Sequence, residues 1–204
     1  AMASFRAGLR YLQKTGDSLF RMSTVRCRFG ALSVNELTQQ LRAGTPSAKI
    51  GALWELATKG PAAAEAIPLV IEMLRATQAD FRAEAARTLG AIGSAAEEAL
   101  LGLTDALHDL DDGVRASAAG ALGRWVEQPA AVVPELSQAL SDESVRVVRE
   151  AALALGRFGP AAEVAQQDLL RALRGALVDC DETRARILAA AVRAVTPDAA
   201  AEVD

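Results

Sequence analysis

Apolar residues recur along this chain with a constant step of 33 residues. The three series are Leu41, Leu74, Leu107, Leu140 and Leu173; Leu56, Leu89, Leu122, Leu155 and Leu188; and Leu37, Val70, Leu103, Leu136 and Leu169. Series that keep phase over five copies indicate a stack of small, similar supersecondary units. Each unit of such a stack buries its apolar residues against its neighbours, so no single large core is needed.

The spacing inside each period predicts two helices joined by a short turn. In segments 81–90 and 114–123 the apolar residues fall three and four positions apart, which is the helical period. Ser33 and Glu36 have the spacing of a capping box, and Gly60 marks a helix end. Because no segment alternates with period two, we predict a helical chain without a sheet.

Two irregularities give further predictions. Pro68 and Pro134 predict first helices that carry proline in the first turn, each preceded by a separate alanine-rich turn. In the fourth repeat the pair Val145-Arg146 lies two residues earlier than the repeat requires. This offset predicts a shorter turn and a longer second helix in that repeat.

The string V-R-x-x-A-A-x-A-L-G at 114–123, followed by an Asp-rich turn and another V-R, resembles HEAT repeats. The resemblance covers residues 33–195 and is greatest to the short form found in bilin-lyase-like proteins. It implies an all-α, right-handed α-solenoid of about five HEAT-like helix pairs, whose second helices line a concave groove. Ankyrin and tetratricopeptide repeats have similar periods, but their characteristic residues are absent from this sequence.

Charge divides the chain into two segments. Residues 1–30 carry six basic side chains against one acidic side chain, whereas the whole chain has a net charge of −4. Phe5, Leu9 and Leu12 fall on one helical stripe of this basic amphipathic segment. The segment is therefore expected to cap the first repeat, to anchor the protein to a membrane or partner, or to be a disordered tail. Residues 31–204 form the predicted repeat region.

Composition excludes several functional classes. The negative net charge argues against a general nucleic-acid binder. Two isolated cysteines, Cys27 and Cys180, give neither a disulfide framework nor metal-ligand spacing, which favours a reducing compartment. No apolar run reaches the roughly 18 residues of a membrane span. We expect a cytoplasmic protein that contacts membranes, if at all, through residues 1–30.

The residues needed for catalysis are not found in any recognisable pattern. His108 is the single histidine, and its position near the end of a first helix predicts that it faces solvent or a terminal carbonyl. The Gly90-Ala-Ile-Gly93 string predicts a helix end rather than a phosphate-binding loop. No nucleophile lies beside a plausible base. The sequence thus predicts a non-enzymatic protein without a metal or cofactor.

Charged pairs indicate how neighbouring units could be linked, and one tryptophan indicates where a partner could bind. Arg82, Arg115 and Arg146 follow acidic turns, and the resemblance implies a ladder of Asp–Arg contacts between neighbouring units. The phase of Trp54 also holds Arg87, Gly120, Leu153 and Arg186, a mixed set typical of an exposed face. The resemblance implies that the groove is lined by Trp54, Glu84, Arg87, Arg124, Glu150, Leu153 and Arg157.

These residues could bind a partner or could form an ordinary solvated face. In the first case Trp54 would be the apolar anchor, with Arg87 and Arg124 beside it to bind acidic groups. Alternatively, Trp54 could pack beneath the N-terminal segment. The predicted function is a scaffold whose groove binds a peptide, loop or helix of another protein. The alternatives are a bilin-lyase-like protein that cradles a tetrapyrrole and, less favoured, a nucleic-acid-binding protein resembling alkylpurine glycosylases.

Overall fold

The computed structural model describes residues 32–93 and 97–196, and every regular element in those ranges is helical. Backbone contacts divide the chain into two compact units, residues 1–99 and 100–204. The helices are α1 Val34–Ala43, α2 Pro46–Lys59, α3 Ile67–Met73, α4 Ala79–Ile92, α5 Glu97–Ala106, α6 Asp112–Leu122, α7 Pro129–Ala139, α8 Val145–Phe158, α9 Gln166–Val178 and α10 Glu182–Val195. The odd-numbered helices are the first, and the even-numbered the second, of five described pairs.

Side-chain caps begin the first pair as predicted. The Ser33 hydroxyl accepts a hydrogen bond from the backbone N–H of Glu36 at 3.3 Å, and the Glu36 carboxylate accepts one from the Ser33 N–H at 2.7 Å. Thr45 caps helix α2, which has Pro46 at its first position. These contacts satisfy backbone N–H groups that have no partner within a helix.

Three second helices end at a glycine in a backbone conformation that other residues rarely adopt. Gly60, Gly93 and Gly159 have φ values of 56°, 103° and 55°. Helices α2 and α8 continue into 3₁₀ segments at Gly60–Ala66 and Gly159–Ala165. The first of these segments is the separate turn predicted before Pro68.

The two predictions about irregularities need correction. Pro134 lies inside helix α7 rather than in its first turn. The missing N–H is tolerated there because its acceptor would be the carbonyl of Ala130, an exposed residue whose oxygen water can reach. Helix α8 has the same 14 residues as α4, so it is not lengthened. Its Val147-Val148 pair, not Val145-Arg146, holds the phase of Val114-Arg115.

The leucine series form the core of both units. Every member of the series that contains Leu56 and of the series that contains Leu37 has no exposed surface. In the series that contains Leu41, Leu74 and Leu173 remain partly exposed. Trp125 is fully buried as well. Full burial of a leucine side chain contributes about 1.5–3 kcal/mol, so these residues dominate the folding free energy.

Successive second helices approach each other closely where their residues are small. Helix α8 packs between α6 and α10 in the second unit. A Cβ atom added at Gly123, just after α6, would lie 2.6 Å from the Cβ atom of Ala154 on α8. The absence of a side chain at Gly123 therefore sets the distance between these two helices.

An arginine joins neighbouring turns of the second unit. The Arg115 guanidinium donates to both carboxylate oxygens of Asp142, at 2.7 and 2.9 Å, and to the carbonyl of Asp109 at 2.9 Å. Arg82 donates in the same way to the carbonyls of Ala76 and Thr77. The Arg115–Asp142 pair confirms one step of the predicted ladder. Arg146 forms no ion pair with a described residue, because Val148 occupies the ladder phase in its repeat.

The electrostatics of this pair favour the ionised carboxylate. Burial by itself would raise the pKa of Asp142, but hydrogen bonds from Arg115 and from the Ser144 backbone N–H outweigh burial and lower the pKa. The stabilisation is therefore fully present above the ordinary aspartate pKa. It is lost as the pH falls through the lowered value in the folded protein.

We expect Arg115→Met to lower the free energy of unfolding by about 3 kcal/mol at neutral pH, because it leaves a mostly buried carboxylate without its cation. Arg171→Met is the matched control, since Arg171 pairs with Asp168 but its side chain is 73% exposed. That control should cost less than about 1 kcal/mol. Urea denaturation measures both, and equal effects would show that Arg115 contributes no more than a surface ion pair.

Two glycine substitutions test how closely the second helices pack against each other. Gly123→Ala should destabilise the protein because the new methyl group overlaps Ala154, whereas Gly156→Ala should stabilise it by about 0.5–1 kcal/mol. A Cβ atom at Gly156 would lie 3.6 Å from its nearest neighbour, Ala191, at ordinary contact distance. Thermal unfolding followed by circular dichroism measures both variants. Equal shifts in melting temperature would contradict the packing argument.

Candidate interaction surfaces

In the first unit the described structure brings Trp54, Glu84 and Arg87 together on helices α2 and α4. Trp54 is half-buried and packs against the pair formed by Ile50 and Phe81. Part of the indole remains exposed beside the two charged residues. We call Trp54 and Arg87, which both keep some exposed surface, the tryptophan surface.

Glu84 lies beneath this surface rather than on it. Its exposed fraction is 4%, so Glu84 does not line an exposed groove as the resemblance implied. The Arg87 guanidinium donates to Glu84 Oε2 at 2.8 Å. Glu84 Oε1 and Trp54 Nε1 are both buried and have no hydrogen-bond partner in the described part of the chain. The Glu84 carboxylate thus neutralises the positive charge of Arg87. Arg87 therefore attracts an acidic partner only weakly.

Burial raises the pKa of Glu84. The charge and hydrogen bond of Arg87 oppose this effect, as does the nearby indole N–H of Trp54, but they do not cancel it. The carboxyl group therefore takes up a proton more readily in the folded protein than in the unfolded chain.

In the second unit the predicted residues lie on helix α8 and at the end of α6. Arg124, Leu153 and Arg157 are exposed, as predicted, and Glu150 is partly exposed. The exposed fraction of Leu153 is 40%. Glu150 accepts a hydrogen bond at 3.1 Å from the neighbouring Arg149.

The α8 side chains lie against α6 at positions where α6 has glycine. A Cβ atom at Gly120 would be 3.3 Å from Glu150 Oε2, and one at Gly123 would be 3.1 Å from Arg157 Nη1. Gly120 shares the repeat phase of Trp54, and Glu150 shares that of Glu84. In both units a glutamate therefore lies next to the residue that holds the repeat position of Trp54. That residue is Trp54 itself in the first unit and Gly120 in the second.

Sequence reasoning missed several exposed arginines on the second helices. Arg146, Arg149 and Arg193 are exposed on α8 and α10, in addition to Arg186, whose phase was predicted to be exposed. A helical projection of segment 145–158 could have found the first two. The resemblance instead predicted that Arg146 belongs to the Asp–Arg ladder, which is a structural role.

The described residues offer no arrangement for metal binding. No group of three or more His, Cys, Asp or Glu side chains in the described ranges could hold a metal ion. His108 is exposed, as predicted, with its Nε2 atom 4.0 Å from Glu135 Oε2. Cys180 is a free, exposed thiol, whereas Cys27 lies outside the described residues.

A shallow depression between α7 and α9 is lined by residues that include Ser137, Asp168 and Arg171. Ser137 and Arg171 both donate to the Asp168 carboxylate at 2.6 Å. The polar groups of the depression already form hydrogen bonds with one another, so few of them are left to bind a ligand.

None of the helices in the described ranges has both the length and the apolar character needed to span a membrane. The three possibilities for residues 1–30 fall outside the described residues, as does the possible packing of that segment on Trp54.

Comparisons with known proteins agree with the repeat architecture. A family model described as HEAT repeats matches residues 34–123 and 100–194. An engineered protein of known structure is 23% identical with a TM-score of 0.61, over 87% of this chain and 85% of the other. The complex of CpcE and CpcF of phycocyanin lyase from Nostoc sp. PCC7120 is 26% identical with a TM-score of 0.58, over 77% and 96%. No curated protein sequence matches this chain.

The raised pKa of Glu84 predicts how Glu84→Gln changes stability. Because the folded-state pKa lies above the unfolded value, this carboxyl group's favourable contribution is present below the unfolded pKa and is lost as the pH rises through the folded pKa. Replacement by neutral glutamine should therefore raise the melting temperature at pH 8, with a smaller gain at pH 4. Glu163→Gln, at an exposed position, is the control. A stabilisation that grows towards low pH would contradict the prediction.

Proposed function

The chain belongs to the HEAT-repeat family, and we propose that it is a non-enzymatic interaction scaffold that binds a peptide, loop or helix of a partner protein on its second helices. The observation that carries the proposal is the exposed Leu153 on helix α8, with the exposed side chains of Arg149 and Arg157 beside it. Arginine is enriched in protein interfaces, and the buried core of an interface is more apolar than the rest of the surface.

The tryptophan surface gives a second contact of the same kind in the first unit. Trp54 keeps part of its ring exposed, while the rest packs on Ile50 and Phe81. Tryptophan is enriched among the residues that contribute most to binding free energy. Within the first unit, Trp54 would be the apolar anchor of such a contact.

A tetrapyrrole-cradling role is the second candidate. It is supported by the 26% identity to a chain of the phycocyanin lyase complex, which this chain covers almost completely. Exposed arginines could also bind the carboxylate groups of a tetrapyrrole. Fold similarity alone does not carry function, so this role depends on a direct measurement. Mixing the purified protein with a bilin should give a shifted absorption band if the candidate is correct.

The scaffold proposal is tested by quantitative affinity capture of cross-linked partners from lysate of the native source. Leu153→Ala should reduce capture severalfold and leave the melting temperature nearly unchanged, because the side chain is substantially exposed. Trp54→Ala should weaken binding by ~2 kcal/mol. It should also lower the melting temperature, since Trp54 packs on Ile50 and Phe81.

Val164→Ala is the matched control, because Val164 is 78% exposed but lies on the second 3₁₀ segment rather than on a second helix. The control should capture the same partners as the unmodified chain. Equal capture by all three variants would exclude the second helices as the binding surface. A bilin adduct without any captured protein would favour the tetrapyrrole role.

A further inference from the structure

The second helices of the second unit carry an excess of arginine. Helices α6, α8 and α10 contain seven arginines but only three acidic residues, Asp112, Glu150 and Glu182. This excess lies within a chain whose net charge is −4. Local positive charge in an acidic protein therefore requires a physical explanation.

Most of these arginines have no acidic partner. The ion pairs of Arg115 with Asp142, Arg149 with Glu150 and Arg184 with Asp179 are internal to the unit. On these helices four exposed arginines form no ion pair with any described residue, and Arg124, which follows α6, is a fifth; the four are Arg146, Arg157, Arg186 and Arg193. We call these five residues the arginine surface.

Helical geometry places the α8 members on one side of that helix. At 100° per residue, Arg146, Leu153 and Arg157 fall within a narrow arc, and the opposite side is buried through residues such as Val148 and Leu155. Leu153 therefore lies between two unpaired guanidinium groups. The same face holds an apolar contact and two positive charges.

Glycine on the adjacent helix provides space for these guanidinium groups. A Cβ atom at Gly113 would lie 3.4 Å from Arg146 Nη1, and one at Gly123 would lie 3.1 Å from Arg157 Nη1. Both arginines thus extend from α8 across positions of α6 without side chains, where contact restricts their motion. A partly ordered guanidinium group loses less entropy when it binds a carboxylate.

Helix α10 extends the positive charge on the other side of α8. Arg186 and Arg193 are exposed, whereas Leu188 and Ala191 are buried. Helix α8 packs against α10, and Arg186 has the repeat phase of Leu153, so the exposed faces of these two helices are neighbours within one compact unit.

We propose that the arginine surface binds an acidic segment of a partner protein, whose carboxylates pair with the guanidinium groups while one apolar side chain contacts Leu153. Paired N–H donors of arginine match the two oxygens of a carboxylate. The exposed leucine among the arginines and the negative net charge favour an acidic peptide over a nucleic acid, whose affinity depends mainly on phosphate neutralisation. This proposal rests on the scaffold function and names the chemistry of its partner.

The test measures binding of a fluorescein-labelled synthetic helical peptide, rich in glutamate with leucine at its centre, by fluorescence anisotropy. The double variant Arg146→Glu/Arg157→Glu should weaken binding roughly tenfold or more. Arg75→Glu/Arg174→Glu is the matched control, because it changes the net charge equally at exposed residues outside the second helices. The control should keep the affinity of the unmodified chain within about threefold, and raised salt should weaken binding.

Circular dichroism and melting temperature show whether each variant folds. Arg146→Gln/Arg157→Gln replaces the charge-reversed variant if the latter unfolds, and it should also lose affinity. Equal losses in the test and control variants would overturn the proposal, as would tighter binding of oligothymidine than of the acidic peptide. If capture of native partners is reduced by Leu153→Ala but not by the arginine variants, the scaffold function stands and only the acidic-partner proposal fails.

Discussion

The close approach of successive second helices is the constraint on which the rest of the structure depends. Gly123 permits contact with Ala154 at a distance that a larger residue would prevent. The buried leucines supply most of the favourable free energy, but they reach their neighbours only because the helices are this close. Arg115 and Asp142 then link adjacent turns by charged hydrogen bonds.

Periodicity made the fold predictable, because a residue repeated at one position of each unit has the same environment in each unit. This held for the leucine series that contains Leu56, and for the glycine helix ends at Gly60 and Gly159. Prediction from periodicity failed at Val145, where the V-R pair lies two residues earlier than the repeat requires. There the structure buries Val147 and Val148, which hold the apolar positions of the repeat. The free energy gained by burying these side chains outweighs the resemblance of the V-R pair to the other repeats.

The candidate surfaces were only partly predictable for a different reason. Exposure of Arg124, Leu153 and Arg157 follows from their helical phase. Burial of Glu84 does not, because it depends on the size of the neighbouring Trp54 and on the reach of Arg87. The spaces beside Gly113 and Gly123 are likewise evident only when two helices are seen together.

Variable and buried side chains occupy different positions of the same repeat. The phase that holds Trp54, Arg87, Gly120, Leu153 and Arg186 varies in residue type, while the leucine two positions later stays buried in every repeat. Except at Trp54, which packs on Ile50 and Phe81, mutations in the variable phase can therefore accumulate with little effect on the packing of the second helices. Such a chain can acquire a new partner by drift at these sites, and a library restricted to them would be a practical starting point for selecting designed binders.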